Sequence, residues 1–234
     1  ELEDGLERIF TNLDPVLGKQ FASMRNGWLD IEGRPNKLSG IGYCIDFSLS
    51  KMPFIYHSVN GTNTDVWIML HEVGHAFQAF AYGNALYWNR WPGAEFSEVA
   101  SQAMELLTLP YLEKEKGGFY IAEDAARARE NQLTRVLSIF PSVAQMAAFQ
   151  HWLYSEAPEN VTPQQIDEYW LASSPRFYPY VNWQGLDEVR NKGWQAFAFY
   201  VPFYDLDYAI AYLGAIQIWQ NSLKDKKKAL EQYR

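Results

Sequence analysis

His71, Glu72 and His75 form an H-E-x-x-H inside the stretch TNTDVWIMLHEVGHAFQAFAY, residues 62–82. Residues four apart on a helix lie on nearly the same face, about 5–6 Å apart at Cβ. Two imidazoles so placed can hold one zinc ion at about 2.0–2.1 Å each. Glu72 lies roughly 100° round the helix from His71. That is too far round for a third ligand, but it suits a general base reaching a water on the metal. The competing reading is a chance motif of core histidines beside a capping glutamate. A charged carboxylate buried unpaired in an apolar helix is costly, which argues against it.

The element that must carry these residues is a helix. Thr62, Asn63, Thr64 and Asp65 are good capping residues, and about five turns follow without proline. Val66, Met69, Leu70, Val73, Phe77 and Phe80 share one face. Trp67, His71, Gly74, His75, Gln78 and Tyr82 share another. Few positions are charged, so the helix is expected to be buried on most sides.

A catalytic zinc takes three protein ligands and keeps one position open. His57 and His151 are candidates for the third, but neither lies in a patterned context. The helix expected over 94–109, in GAEFSEVASQAMELL, is the better source. Glu95, Glu98, Gln102 and Glu105 form one stripe, and Phe96, Val99, Ala100, Ala103, Leu106 and Leu107 form the apolar side. On an isolated helix the stripe reads as a solvated acidic edge. Here a short loop joins this helix to the metal helix, so the two are expected to pack antiparallel. Glu98 then comes level with the histidines and is assigned as the third ligand. A ligating histidine usually donates its other N–H to a carboxylate, and Glu95 and Glu105 are candidates for that role.

Elsewhere the pattern predicts helices over 2–13 and 15–27. Two short strands follow, around Tyr43–Phe47 and Phe54–Val59 and joined across 48–53, the only clear β signal. A long helix is expected over 122–154, with an interruption near Pro141. Thr162-Pro163 opens a helix to about 172. Residues 174–180 read as a loop. The chain turns helical again from 182, with Pro202 in the first turn of a helix reaching about 222. A final charged helix over 224–233 reads as a solvated face. No domain boundary is evident, so one mainly α domain over 1–234 is expected, a multi-helix lobe with a small β-hairpin before the metal helix.

With 234 residues, 48% of them hydrophobic and 16% aromatic, the chain can bury a real core. A net charge of −8 disfavours nucleic acid or an anionic membrane as main partner. The single cysteine, Cys44, excludes an internal disulfide and fits a reducing compartment. There is no run of apolar residues long enough to span a bilayer, and the N-terminus is not a signal peptide. A cytoplasmic protein is the expectation.

HEVGHAF followed by EFSEVASQAMELL resembles the zinc metallopeptidases of the thimet oligopeptidase and oligoendopeptidase F family. NKLSGIGYC, PFIYHSVNGTNTDV and PFYDLDYAIA resemble the oligoendopeptidase F branch. The resemblance implies a largely helical catalytic lobe and one zinc held by His71, His75 and Glu98, with Glu72 as general base and short peptides as substrates. It also implies that the strand around 54–60 offers a backbone edge to substrate. Tyr56, His57, Ser58 and Tyr200 are then substrate contacts. Tyr200, Tyr204, Tyr208 and Tyr212 recur every four residues. They read equally as a core stripe or as donors to a tetrahedral oxyanion. The resemblance favours Tyr204 and Tyr208.

The chain departs from the family in two ways. Members carry a large helical N-terminal part that roofs the substrate channel, and nothing here corresponds to it. This reading therefore expects the catalytic C-terminal portion alone, with an open cleft prone to self-association. Members also carry a histidine shortly before the FY…Y segment, where this chain has Gln195-Ala196-Phe197-Ala198-Phe199. Two alternatives stay open: a zinc-retaining remnant that binds peptides with little or no activity, and a related zinc carboxypeptidase.

Overall fold

The computed structural model describes residues 1–196 and 201–234. It divides into two compact units, residues 1–132 with 211–234, and residues 133–210. No helix among the described residues is long and apolar enough to cross a membrane.

The first unit opens with α1 (Leu2–Leu13) and α2 (Pro15–Met24). Asp14 caps α2, accepting from the Val16 N–H at 2.7 Å, and Pro15 takes the first helical position, where no N–H is needed. Leu6, Ile9 and Phe10 of α1 and Leu17, Phe21 and Met24 of α2 are buried. The Phe10 ring lies 5.1 Å from both Phe21 and Phe77. The second helix ends at Met24, not at 27, because Gly27 adopts φ +90° and turns the chain into a strand.

That strand, β1 (Leu29–Asp30), was not expected. At two residues it is too short for periodicity to reveal. The sheet is completed by β2 (Gly42–Phe47) and β3 (Met52–His57). The order is β1-β3-β2, with β1 parallel and β2 antiparallel to β3. This corrects the expectation for 54–60, because β3 is the central strand. Ile55 N–H reaches Trp28 O at 3.0 Å, Val59 N–H reaches Ile31 O at 3.2 Å, and Asn60 N–H reaches the Asp65 carboxylate at 3.0 Å. Tyr56 and His57 are paired with Tyr43 and Gly42 on the other side. The long open edge of the sheet is β2.

His57, expected as a substrate contact, is buried inside the sheet's connection to the metal helix. It is 1% exposed, and its ring bridges the Ile41 carbonyl at 2.9 Å and the Asp65 carboxylate at 3.0 Å. Asp65 sits in the first turn of α3 (Asn63–Ala81) and also accepts from the Thr62 N–H at 2.7 Å. One buried carboxylate thus caps α3 and ties it to β3.

The fourth helix, α4 (Ala94–Leu107), stops two residues early. Thr108 Oγ1 donates to the Met104 carbonyl at 2.9 Å and closes the end, and Pro110 falls in a 3-10 turn, Leu109–Tyr111. The long α5 (Ala122–Ser155) runs through Pro141 without interruption. The carbonyl that loses its donor belongs to Leu137, an exposed position where solvent can replace it.

In the second unit, Phe149 and Trp170 make a T-shaped pair, and Trp152 stacks on Tyr169 at 3.9 Å. Helix α6 (Pro163–Phe177) continues past 172 and through Pro175, where a loop was expected. The proline falls in the last turn, so it removes the donor of a single carbonyl, that of Leu171, close to the helix end. Between 182 and 203 the described residues hold α7 (Asp187–Arg190) and a 3-10 turn, Gly193–Ala196.

Helix α8 (Tyr204–Lys224) starts after Pro202, not at it. Phe203 takes φ +60°, a left-handed conformation that cannot continue into a helix, and its N–H donates to Gln150 Oε1 at 2.7 Å. Helix α9 (Lys226–Tyr233) is not a purely solvated face. Ala229 and Leu230 are buried, and Tyr233 Oη donates to the Ala100 carbonyl at 2.9 Å.

Candidate metal centre

Glycine decides how closely α3 and α4 approach. A Cβ on Gly74 would stand 2.6 Å from Ser101 Cα and 2.8 Å from the Ala100 carbonyl oxygen. Gly74 lies between the two histidines, so closest approach occurs where α4 must deliver a side chain to them. His71 meets both Glu98 and Glu105, and His75 meets Glu98.

The ligating atoms of His71, His75 and Glu98 all lie within 4.8 Å of one another. His71 Nε2 is 3.2 Å and His75 Nε2 is 3.6 Å from Glu98 Oε2. The two imidazoles are nearly perpendicular, with centroids 5.0 Å apart. Ser101 Oγ donates to Glu98 Oε2 at 2.9 Å and orients the carboxylate.

Behind the histidines, Glu105 is 1% exposed. Its Oε1 accepts from His71 Nδ1 at 2.7 Å, and its Oε2 accepts from Tyr212 Oη at 3.0 Å and from Gln132 Nε2. Holding Nδ1 there leaves Nε2 of His71 directed to Glu98, the orientation a metal ligand needs. Glu95, the other carboxylate proposed for this role, bonds neither histidine among the described residues. His75 has a backbone hydrogen bond at Ser97 instead.

The electrostatics are those of a site built for a cation. Burial works against a charge on His71, yet the hydrogen bonds to Glu105 and Glu98 prevail and raise its pKa to about 10. Burial, reinforced by the positive His71, lowers His75 to about 4. Glu98 is also penalised by burial, but the hydrogen bond from His71 and the nearby imidazoles hold it below the usual carboxylate range. Two imidazoles and a carboxylate with outer nitrogens already engaged fit a divalent metal of zinc's preferences.

Glu72 is buried, and burial first, then Glu98 and Glu105, push it up to about 7 against the pull of His71. Its carboxylate lies against the edge strand. A Cβ on Gly42 would stand 3.1 Å from Glu72 Oε1 and 2.5 Å from Ile68 Cγ2. Only glycine lets the β2 backbone come this near.

The other residues singled out in the sequence are placed as follows. Tyr56 stacks on Tyr43 at 4.8 Å, and its hydroxyl donates to the Leu38 carbonyl at 3.1 Å. Ser58 is buried. His151 is exposed and pairs with Glu156 at 3.3 Å. Tyr204 and Tyr208 belong to the second unit, with hydroxyls 2.8 Å apart. Tyr200 lies outside the described residues.

Sequence reasoning missed Gln132 and the anchoring role of Tyr212. A signal for Gln132 exists: it continues the buried stripe of Ala125 and Ala128, where an amide is out of character. Tyr212 differs from Tyr204 and Tyr208 in being fully buried, which spacing alone does not show.

The pattern of peptidase family M3 matches residues 12–234. The chain is 23% identical to Oligopeptidase PepF of Bacillus subtilis (strain 168), across 99% of this chain and 35% of that protein. It is 24% identical to the Oligoendopeptidase F homolog of Borreliella burgdorferi, across 99% of this chain and 40% of that protein. Among solved structures it is similar to PZ peptidase A with an inhibitor, with a TM-score of 0.86 at 29% identity, covering 99% of this chain and 41% of that one. The chain therefore spans well under half the length of these relatives.

Proposed function

The chain belongs to peptidase family M3, and on that premise we propose that it is a zinc-dependent oligopeptidase unit that hydrolyses internal bonds of short peptides. The observation that carries the reading is the convergence of the His71, His75 and Glu98 donor atoms within 4.8 Å of one another, half-buried and next to the buried Glu72.

His71, His75 and Glu98 would hold the zinc, which in such a site acidifies water and polarises a peptide carbonyl. The chain's own residues do the rest. Glu105 fixes the His71 ring through Nδ1, and Ser101 fixes the Glu98 carboxylate. Glu72 takes the proton of the attacking water and returns it to the leaving amine. Its burial keeps the protonated form accessible near neutral pH in the metal-free protein, which suits a group that must both accept and donate. Substrate main chain pairs with the open edge of β2, whose Gly42 brings the backbone against Glu72.

Metal analysis of the purified chain beside the His71→Ala variant tests the reading. One zinc per chain in the parent, and loss of stoichiometric zinc in the variant, is the expected result. Undiminished zinc in His71→Ala would move the metal elsewhere.

A further inference from the structure

The connection between α3 and α4 carries an unusual surface. Leu86, Tyr87, Trp88 and Trp91 lie within six consecutive residues and expose between 66% and 86% of their surfaces. Single exposed apolar residues are ordinary, but a run of four that includes two indoles is not.

The loop is also held in place. Arg90 sits between the indoles, and its guanidinium donates to the Gly83 and Ala85 carbonyls at 3.2 Å each. The same side chain reaches Asp46 of β2 at 3.3 Å. Lys51, in the turn after β2, donates to Asn84 at 3.3 Å. Residues 87–89 form a 3-10 turn. A fixed aromatic platform loses little freedom on covering an apolar ligand group.

Its position relative to the metal centre is set by β2. One end of that strand, Gly42, lies against Glu72, and the other, Asp46, is clamped to the loop by Arg90. Gly42 and Asp46 are four residues apart, about 13 Å at ~3.3 Å per residue. A peptide extended along β2 has the same spacing.

We propose that loop residues 86–91, with Trp88 and Trp91 at their centre, form a hydrophobic subsite for an aromatic or large aliphatic side chain of the substrate, about four residues from the cleaved bond. This rests on the peptidase reading above and assigns that site a substrate class. Arg90 is the positioning residue that holds the platform to the strand.

The test uses matched peptides that differ only by Phe or Gly at the third, fourth or fifth position from the cleaved bond, with cleavage sites mapped by mass spectrometry. Burying a phenyl group is worth about tenfold to a hundredfold. The Phe-to-Gly ratio of kcat/KM should reach that range near the fourth position on one side of the bond. It should fall to about one in the Trp88→Ser/Trp91→Ser double variant, whose substitutions are at exposed positions. Arg90→Ala keeps both indoles and should lower the ratio as well. A parent ratio of about one at every position, or a ratio unchanged in the double variant, would overturn the assignment. If the zinc-loaded parent cleaves no peptide, the peptidase reading fails separately. The same pairs are then titrated as ligands by fluorescence. Tighter binding of the Phe peptides that disappears in the double variant supports the subsite, and equal affinities overturn it.

Discussion

Gly74 and Ser101 bring α3 and α4 so close that a single methyl group on Gly74 would stand 2.6 Å from the Ser101 Cα. The obstacle is backbone, which a side-chain rotation cannot relieve. Gly74→Ala is therefore expected to push α4 away and draw Glu98 from the histidines. Overpacking of this kind costs about 1–3 kcal/mol. Thermal unfolding of the metal-free protein should show that loss, and chelator competition should show zinc affinity at least about tenfold weaker.

Glu105 is the hub behind His71, and its variants should grade the effect. Glu105→Gln removes the charge facing His71 Nδ1 and should weaken zinc by about 10–100-fold. Tyr212→Phe removes one donor from Oε2 and leaves Gln132 in place, so about a two- to tenfold loss is expected. Zinc affinities measured side by side check the order; equal losses would show that Tyr212 does more than support the carboxylate.

How much of this is legible in the sequence depends on the range of the interactions. The metal helix is marked by its caps, its period and the four-residue histidine spacing, all local. Glu98 is legible because α4 follows after a short loop. Glu95 and Glu105 share its stripe, and only the packing angle of the two helices separates them. Gln132 and Tyr212 come from α5 and α8, so no local pattern ties them to Glu105. The open edge of the sheet is misread for a related reason: two residues, Leu29 and Asp30, cover the far side of β3 and make β2 the edge. Pro175 and Phe203 mislead in opposite directions. At the first the proline lies in the last turn and costs one hydrogen bond, so the helix continues, and a positive φ ends the turn at the second.

Asp65 should make the metal-free fold acid-labile. Burial opposes its carboxylate, but the Thr62 N–H, His57 and the Asn60 N–H together hold its pKa below the ordinary value of about 3.9. A carboxyl group with a depressed folded pKa contributes stability above the unfolded pKa and loses it as pH falls through the folded one. Asp65→Asn should cost about 1–3 kcal/mol at pH 5. The gap to the parent should narrow as pH falls below the unfolded value of about 3.9, in denaturant melts with chelator present. A gap that stays constant over that range would remove Asp65 from the acid response.

The central claim is that Glu72 carries the proton while three other side chains carry the metal. Turnover of an internally quenched peptide by Glu72→Gln, at a verified load of one zinc per chain, tests it most directly. The amide keeps the size of the side chain beside Gly42 but cannot act as the base. Turnover at least about a thousandfold below the parent, with zinc retained, is the predicted result. Parental turnover in the zinc-loaded variant would contradict it.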